Sequence, residues 1–446
     1  MNDLSNQANS SSHSRKLLIW RINAALRILK QDGPRRLLKV LHHRWVVPRI
    51  EGFARDRYRR QLSSILVDHP GRPFVIVSTV DWNFPFHQRP QHIASALGHL
   101  GRACFYVTPR SGYDSFYGFE ALPSGVVVTD QQELLWSTLV HPVVITLSTD
   151  NRIGMSFLAR SSEKGWQLVY DYIDAIDPAI SMTEIPADRI AAHDHMLRDE
   201  QVCCVASARS LHEEVAAKRT RNFALITNGV DVEHFRVERC FDRVSADFRR
   251  VVEAGKPIVG YYGALASWFD FALATDLARG RADLSIVLIG PDYDGSATRW
   301  LASLAADGGK PPNLHVLPAV TYAELPAYAA WFDVATIPFL INDVTLATSP
   351  LKLFEYMALG CAIVSTPLPE CQMYRSVLIG ERGQPFLDRV DEALKLRSDP
   401  AYRDLLRREA EENSWTSKAR DLIALVEGRG TEQAALAPTA GTRQAS

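Results

Sequence analysis

The feature that most constrains this chain is an alternation repeated along its length. Short runs of β-branched and aromatic residues, each about 4–8 residues long, are separated by stretches with helical spacing. FVIVST (74–79), CFYVTP (104–109), VVITLS (143–148), QLVYDYI (167–173), VCCVAS (202–207) and ALIT (224–227) make one block. IVGYYG (258–263), LSIVLIG (284–290), LHVLP (314–318), VATIPF (334–339) and AIVST (362–366) make a second. Runs apolar on both faces belong in a sheet covered on both sides, the situation of parallel strands. Parallel neighbours need crossovers, and intervals such as 321–331 and 350–359 supply helices for them. The pattern predicts an α/β protein with two doubly wound, Rossmann-like lobes facing a central cleft. Ligands of such sheets bind beyond the carboxyl ends of the strands, so the cleft is the expected site.

The 446 residues exceed one ordinary domain of about 150. We expect a basic helical extension over 1–70, a first lobe over 71–250 and a second over 251–427, with a disordered tail at 428–446. The final helix, around 417–427, can return to the first lobe. Residues 15–60 hold 14 Lys/Arg against three acidic residues, in a chain whose formal net charge is −1. The arginines alternate with Leu17, Ile19, Trp20, Ile22, Leu26 and Leu29 at helical spacing, with breaks at Gly33-Pro34 and near Pro48. For residues 15–62 two readings stand side by side: a clamp on an anionic membrane surface, or a helical extension packed on an acidic face of the fold. Neither zinc-finger spacing nor an aromatic RNA-binding pattern accompanies the basic residues, which argues against nucleic acid as partner.

No apolar run approaches the roughly 20 residues that span a bilayer. The start MNDLSNQANSSSHS lacks the basic and apolar regions of a secretory signal. A cytoplasmic location is expected, peripheral on the inner face of the membrane if the extension clamps there. Cys104, Cys203, Cys204, Cys240, Cys361 and Cys371 are scattered without C-x-x-C spacing, so buried thiols are expected rather than disulfides or a zinc site. No aspartate pair has metal-binding spacing, and neither a metal nor another cofactor is expected.

The most informative stretch is TSPLKLFEYMALGCAIVSTPLPE, residues 348–370. Ser349 reads as an N-cap and Pro350 as the first helical residue. The unsatisfied N–H groups of that turn make an anion site. Lys352 in the first turn opposes the helix dipole unless an anion is bound, which points to a phosphate. Glu355, three residues on, shares its face: Lys352 can meet a diphosphate while Glu355 accepts hydrogen bonds from a ribose diol. The plainer alternative is a surface Lys–Glu pair.

These residues resemble the C-terminal lobe of retaining family-4 (group 1) glycosyltransferases of GT-B fold. The likeness spans roughly 73–425 and is strongest across NLHVLPAVTYAELPAYAAWFDVATIPF (313–339) followed by SPLKLFEYMALGCAIVSTPLPE. ITNGVDVEHF (226–235) is similar to the family's segment between lobes, and VDWNFPFHQRPQHIA (80–94) to the first lobe of a polysaccharide-associated subset. The resemblance implies a nucleoside diphosphate sugar as donor, held by Ser349, Pro350, Lys352, Leu353 and Glu355 with Gly263 in the facing loop. It implies an acceptor in the first lobe, a hydroxyl of a surface polysaccharide or lipid-linked glycan, and metal-independent transfer of a hexosyl or related group with retention. The family motif has two glutamates eight positions apart. Glu355 matches the second, which binds ribose, and the first falls on Ala347, removing a carboxylate that contacts the donor sugar. The family's phosphate-binding Arg and Lys have no match, because GYYGALASWFDF (260–271) has no basic residue. Its Gly263 still lets backbone approach a phosphate, and Trp268 and Asp270 can line the cleft or belong to the core.

In the first lobe, His87, Gln88 and Arg89 lie in an aromatic loop beyond the strand at 74–79. Arg89 can pair with a phosphate, and Trp82, Phe84 and Phe86 can stack on sugars; a structural plug is the alternative. Asp171 and Asp174 end another strand, to orient acceptor hydroxyls or to cap the next helix. His87, Arg89, Asp171 and Asp174 are therefore the catalytic candidates. Asn228-Gly229 reads as a turn between lobes, placed to touch the donor. His193 and His195 read as core or surface histidines. Two rivals share the scaffold: a nucleotide-sugar epimerase, and a glycan-binding or scaffolding protein without transfer, motivated by Ala347. No G-x-G-x-x-G follows the first strand of either lobe, which disfavours a dinucleotide-dependent oxidoreductase.

Overall fold

In the computed structural model, which describes residues 47–69, 71–176 and 184–428, each apolar run named above becomes a parallel strand. The first sheet comprises β1 (Phe74–Val77), β2 (Cys104–Val107), β3 (Phe119–Ala121), β4 (Val126–Thr129), β5 (Val143–Leu147), β6 (Gln167–Tyr172), β7 (Cys203–Ala206) and β8 (Phe223–Leu225). Its order is β3-β4-β2-β1-β5-β6-β7-β8, with β3 alone antiparallel. The second comprises β9 (Ile258–Tyr262), β10 (Ser285–Ile289), β11 (Leu314–Leu317), β12 (Val334–Ile337), β13 (Ala362–Ser365) and β14 (Val377–Ile379), in the order β11-β10-β9-β12-β13-β14. Strands β3, β4 and β14 are additions to the sequence reading. In both sheets the order reverses at the first strand, β1 or β9, so the loops after β1, β5, β9 and β12 border the crevices where ligands bind.

The strands are buried on both faces, as their composition requires. Val75 and Val77 of β1 point into one core with Phe105, Leu135 and Tyr170, while Phe74 and Ile76 point into another with Ile93, Leu97 and Ile145. Helix α1 (Val47–Asp68) begins at the break expected near Pro48 and anchors on the first core through Leu62, with Tyr58, Ile65 and Leu66 beside it. The basic residues of 15–46 and the tail from 429 lie outside the described residues.

Four further helices position the cleft: α2 (Arg89–His99), α3 (Arg209–Ala216), α4 (Leu351–Leu359) and α5 (Trp415–Val426). Helix α5 returns to the first lobe, where Trp415, Ala419, Leu422 and Val426 join Ile93, Ala94 and Leu97 of α2. Arg102 and Glu427 close that contact with a 2.7 Å ion pair. The lobe boundary lies earlier than the expected residue 251. Val230, Phe235, Phe248 and Val251 already pack with the second sheet, while Ile226 belongs to the first. The segment before Gly255 forms an amphipathic helix, Ala246–Glu253, that belongs to the second lobe. Two Rossmann-like lobes with a returning C-terminal helix make the GT-B architecture. No helix among the described residues is long and apolar enough to cross a membrane.

Candidate functional site

On the second lobe, β9 runs into Gly263, whose φ of +132° suits glycine. A Cβ there would stand 2.9 Å from Cε of Lys352, and one on Gly290 would fall 1.8 Å from the Gly263 carbonyl oxygen. Both glycines leave room for close backbone packing against the opening of α4. That helix begins one residue later than expected: Pro350 is the N-cap, Leu351 the first helical residue, and no side chain caps the turn. Ser349 is diverted because its hydroxyl accepts the Asn228 N–H at 3.3 Å and its carbonyl the Asn228 amide at 2.7 Å.

Lys352 is half-buried, its ammonium 4.9 Å from the ring centre of Phe339 and 5.3 Å from that of Tyr261. Burial pulls its pKa down to about 8, against the attraction of Glu355. Glu355 is buried, and its Oε2 accepts a hydrogen bond from the Tyr262 hydroxyl at 2.7 Å. Burial pushes its carboxyl up to about 7, opposed by that hydrogen bond and by Lys352. The two attract without forming an ion pair, so the surface-pair alternative does not describe them. Ionisable side chains shifted by burial at a cleft mark a candidate functional site. Leu353 is fully buried and seats α4 on the core.

On the first lobe the structure corrects the reading of Arg89. Its Nε donates to both oxygens of Asp171, at 3.1 and 2.9 Å, Nη1 to the carbonyl of Thr227 and to Oδ1 of Asn228, and Nη2 to the carbonyl of Ile226. Both partners of the ion pair are buried. Arg89 and Asp171 are therefore held on each other and on the junction, both nearly inaccessible to an acceptor. Asp174 differs. Its carboxyl has no hydrogen-bond partner among the described residues, and burial pushes it up to about 7.

His87 is a packing residue. Its ring stacks on Tyr322 of the other lobe at 4.8 Å, and Tyr322 also stacks with His234 at 4.2 Å. Burial lowers the His87 pKa. The aromatic loop is fixed by two reciprocal carboxylates: Asp81 accepts the N–H groups of Ser111, Gly112 and Tyr113, while Asp114 accepts those of Trp82 and Asn83. Phe84 meets Phe86 and Tyr113 edge-on. Trp82 packs against Tyr106 at 5.1 Å.

Asn228-Gly229 is the turn between the lobes and bonds the segment leading into α4 through Ser349. A Cβ on Gly229 would meet the Asn413 carbonyl at 2.5 Å, so the turn also abuts the start of α5. Asp270 caps the helix Phe271–Gly280 and pairs with Arg382, and Trp268 packs on Tyr293, so both are structural. His193 is a core residue bonded to the Tyr170 hydroxyl at 2.6 Å, and His195 is exposed near Asp199. Among the described residues no group of three or more His, Cys, Asp or Glu is arranged to hold a metal ion.

Sequence reasoning missed Tyr262, Tyr322, Arg209 and Glu370. Arg209, first residue of α3, gives its backbone N–H to Oε1 of Glu370 at 2.6 Å across the cleft, and the neighbouring Ser210 hydroxyl donates to the Leu346 carbonyl at 3.1 Å. A signal existed for both: Arg209 follows a strand end directly, and Glu370 closes the most informative stretch.

Residues 256–392 match the family described as Glycosyl transferases group 1. A protein of Bacillus subtilis (strain 168), assigned as the teichuronic acid biosynthesis glycosyltransferase TuaH, is 24% identical over 278 residues, 59% of this chain and 68% of that one. Among solved structures, Anabaena HepE in complex with UDP and glucose is similar with a TM-score of 0.56 at 11% identity, over 80% of this chain and 100% of that one. A glycosyltransferase from Rickettsia africae ESF-5 gives 0.56 at 10% identity over 80% and 98%. A UDP-forming α,α-trehalose-phosphate synthase from Burkholderia xenovorans gives 0.53 at 12% over 80% and 100%. The solved structures establish the likeness in fold, and with the family match they support a glycosyltransferase of GT-B fold.

Proposed function

We propose that this protein transfers a sugar from a nucleoside diphosphate sugar, bound against α4, to a hydroxyl of a surface polysaccharide or lipid-linked glycan, with retention and without a bound metal. The observation that carries the reading is the pair built into α4: a half-buried lysine at the helix opening and, one turn deeper, a buried glutamate held by Tyr262. Glu355 is placed to accept from a ribose diol. The uncapped N–H groups of α4 and Lys352 meet the charge that develops on the departing diphosphate. HepE, solved with UDP and with UDP-glucose, supports a UDP-linked donor. On the acceptor side, Asp174, with a carboxyl near neutrality, is the group suited to take a proton from the incoming hydroxyl. The TuaH likeness supports an acceptor in surface-polysaccharide synthesis.

Calorimetric titration of UDP, GDP, ADP, CDP and dTDP into wild type and Glu355→Ala, without added metal, tests the donor site. One nucleotide preferred by wild type and lost in the variant is the expected result; equal binding by both proteins would place the donor elsewhere. A sugar nucleotide converted with no acceptor present would instead select the epimerase, and an inverted linkage in the product would remove retention. We also place the enzyme in the cytoplasm, with its basic extension on the inner membrane face. Binding to phosphatidylserine vesicles should fall with salt and vanish when residues 1–46 are deleted, and failure of the full chain to bind at low salt would leave only the packing role.

A further inference from the structure

The loop 260–271 carries no basic residue, so on this side of the cleft Lys352 faces a bound diphosphate without a second cation beside it. The other cations near the junction are engaged: Arg89 with Asp171, Lys418 with Asn413 and Arg382 with Asp270. Arg209 is not. Its guanidinium makes no hydrogen bond or close ion pair among the described residues; Glu370 attracts it, but its Nε is buried without an acceptor. We infer that Arg209, contributed across the cleft by the first lobe, is the second ligand of the donor diphosphate. This inference rests on the donor site proposed above.

The placement follows from the chain. Arg209 opens α3 at the carboxyl end of β7, the edge of the first sheet that faces the second lobe. Its backbone N–H is held by Glu370, and Ser210 beside it is held by the Leu346 carbonyl. Leu346 immediately precedes the segment 347–350 that leads into α4, and Glu370 ends the loop after β13. Arg209 is thus tied by its own backbone N–H to one of the loops that flank the α4 N-terminus and, through the hydroxyl of its neighbour Ser210, to the other, while its side chain has no hydrogen-bond partner among the described residues. Glu370 is 1% exposed, and its Oε2 also lacks a partner. Glu370 and the Arg209 guanidinium attract each other electrostatically, yet Oε2 and Nε are each buried without a hydrogen-bond partner among the described residues, which marks a polar site that the protein does not complete by itself.

A diphosphate completes the cationic half. The planar guanidinium fork matches two phosphate oxygens, whereas Lys352 acts as a point charge, so the pair divides the work between orientation and neutralisation. Because the two cations belong to different lobes, the donor also becomes a link between them. Glu370, by holding the Arg209 backbone, fixes where the guanidinium starts and acts as a positioning residue.

The test uses the full chain, titrated with whichever of the five diphosphates binds best and with the matching nucleoside. Arg209→Ala is expected to weaken the diphosphate by about tenfold or more, with nucleoside affinity unchanged. Arg209→Lys should fall between. Thermal midpoints within about 2 °C of wild type would show that both variants fold, as expected for a half-buried side chain without partners. Unchanged diphosphate affinity in Arg209→Ala, or equal weakening of diphosphate and nucleoside, would overturn the inference. If Arg209→Ala misfolds, the diphosphate-to-nucleoside ratio of Arg209→Lys decides it by the same criteria. Glu355→Ala separates the two readings. If it loses the nucleotide while Arg209→Ala does not, only this inference fails; if wild type binds none of the five, both fail together.

Discussion

Replacing Arg89 by Met should unfold the first lobe at a markedly lower temperature, and the structure sets the scale. Arg89 and Asp171 have side chains 5% and 7% exposed, and Arg89 also supplies hydrogen bonds to the carbonyls of Ile226 and Thr227 and to Oδ1 of Asn228. Met fills similar volume but leaves Asp171 charged, buried and unpaired, a situation that costs about 3–5 kcal/mol. For a lobe of this size that corresponds to a midpoint lower by roughly 10 °C. The assay is scanning calorimetry of the single variants Arg89→Met and Asp171→Leu and of the double variant. A buried pair replaced by apolar residues is often nearly neutral, so the double variant should recover most of the loss. A midpoint for Arg89→Met within about 2 °C of wild type, together with lost transfer, would refute the structural role and restore Arg89 as a phosphate ligand.

Two further outcomes follow from buried titratable groups. Lys352 loses its proton as pH rises through about 8 in the free protein, whereas a bound diphosphate favours the charged form. Diphosphate affinity should therefore fall above that pH with proton uptake on binding, read from calorimetry in buffers of different ionisation enthalpy; no proton uptake would place the phosphates away from Lys352. His193 has a folded-state pKa pulled by burial from 6.5 to about 4, so the unfolded chain binds a proton that the folded one refuses. Stability should decline as pH falls from about 6.5 to about 4, by roughly 3 kcal/mol from this group. Urea titrations of His193→Gln should show that much less acid sensitivity, and identical slopes in both proteins would exclude the assignment.

The architecture was legible because a doubly covered parallel sheet demands strands apolar on both faces, a demand that leaves runs such as VVITL and IVGYY in plain view. Strands β3 and β14, at three residues each, lie at the sheet edges and carry too little pattern to register. VVVT at 126–129 is a fully buried strand with an apolar run of its own, absent from the runs named in the sequence. Lys352 and Glu355 were readable because their relation is local: spacing of three on one helix fixes a common face. Arg89 was misread for the opposite reason. Type and strand-end position place an arginine near a cleft, but whether it is free depends on Asp171, 82 residues away, and on carbonyls 137 and 138 residues away. Ser349 shifted by one position because a distant amide, Asn228, competed for its hydroxyl.

Those long-range contacts also couple the two lobes. Asp171 at the end of β6 holds Arg89 at the start of α2. Arg89 reaches Oδ1 of Asn228, whose amide nitrogen donates to the Ser349 carbonyl, one peptide before the N-cap of α4. The path is a single chain of hydrogen bonds from the first sheet to α4 of the second lobe, and most of its members are buried or half-buried. A shift of Arg89 therefore moves the opening of α4 without touching Lys352 or Glu355. It follows that Arg89→Met, where it still folds at low temperature, should weaken the diphosphate more than the nucleoside. Glu355, the proposed ribose ligand, lies one turn deeper in α4, on a segment anchored by Leu353 and Tyr262 rather than by the junction.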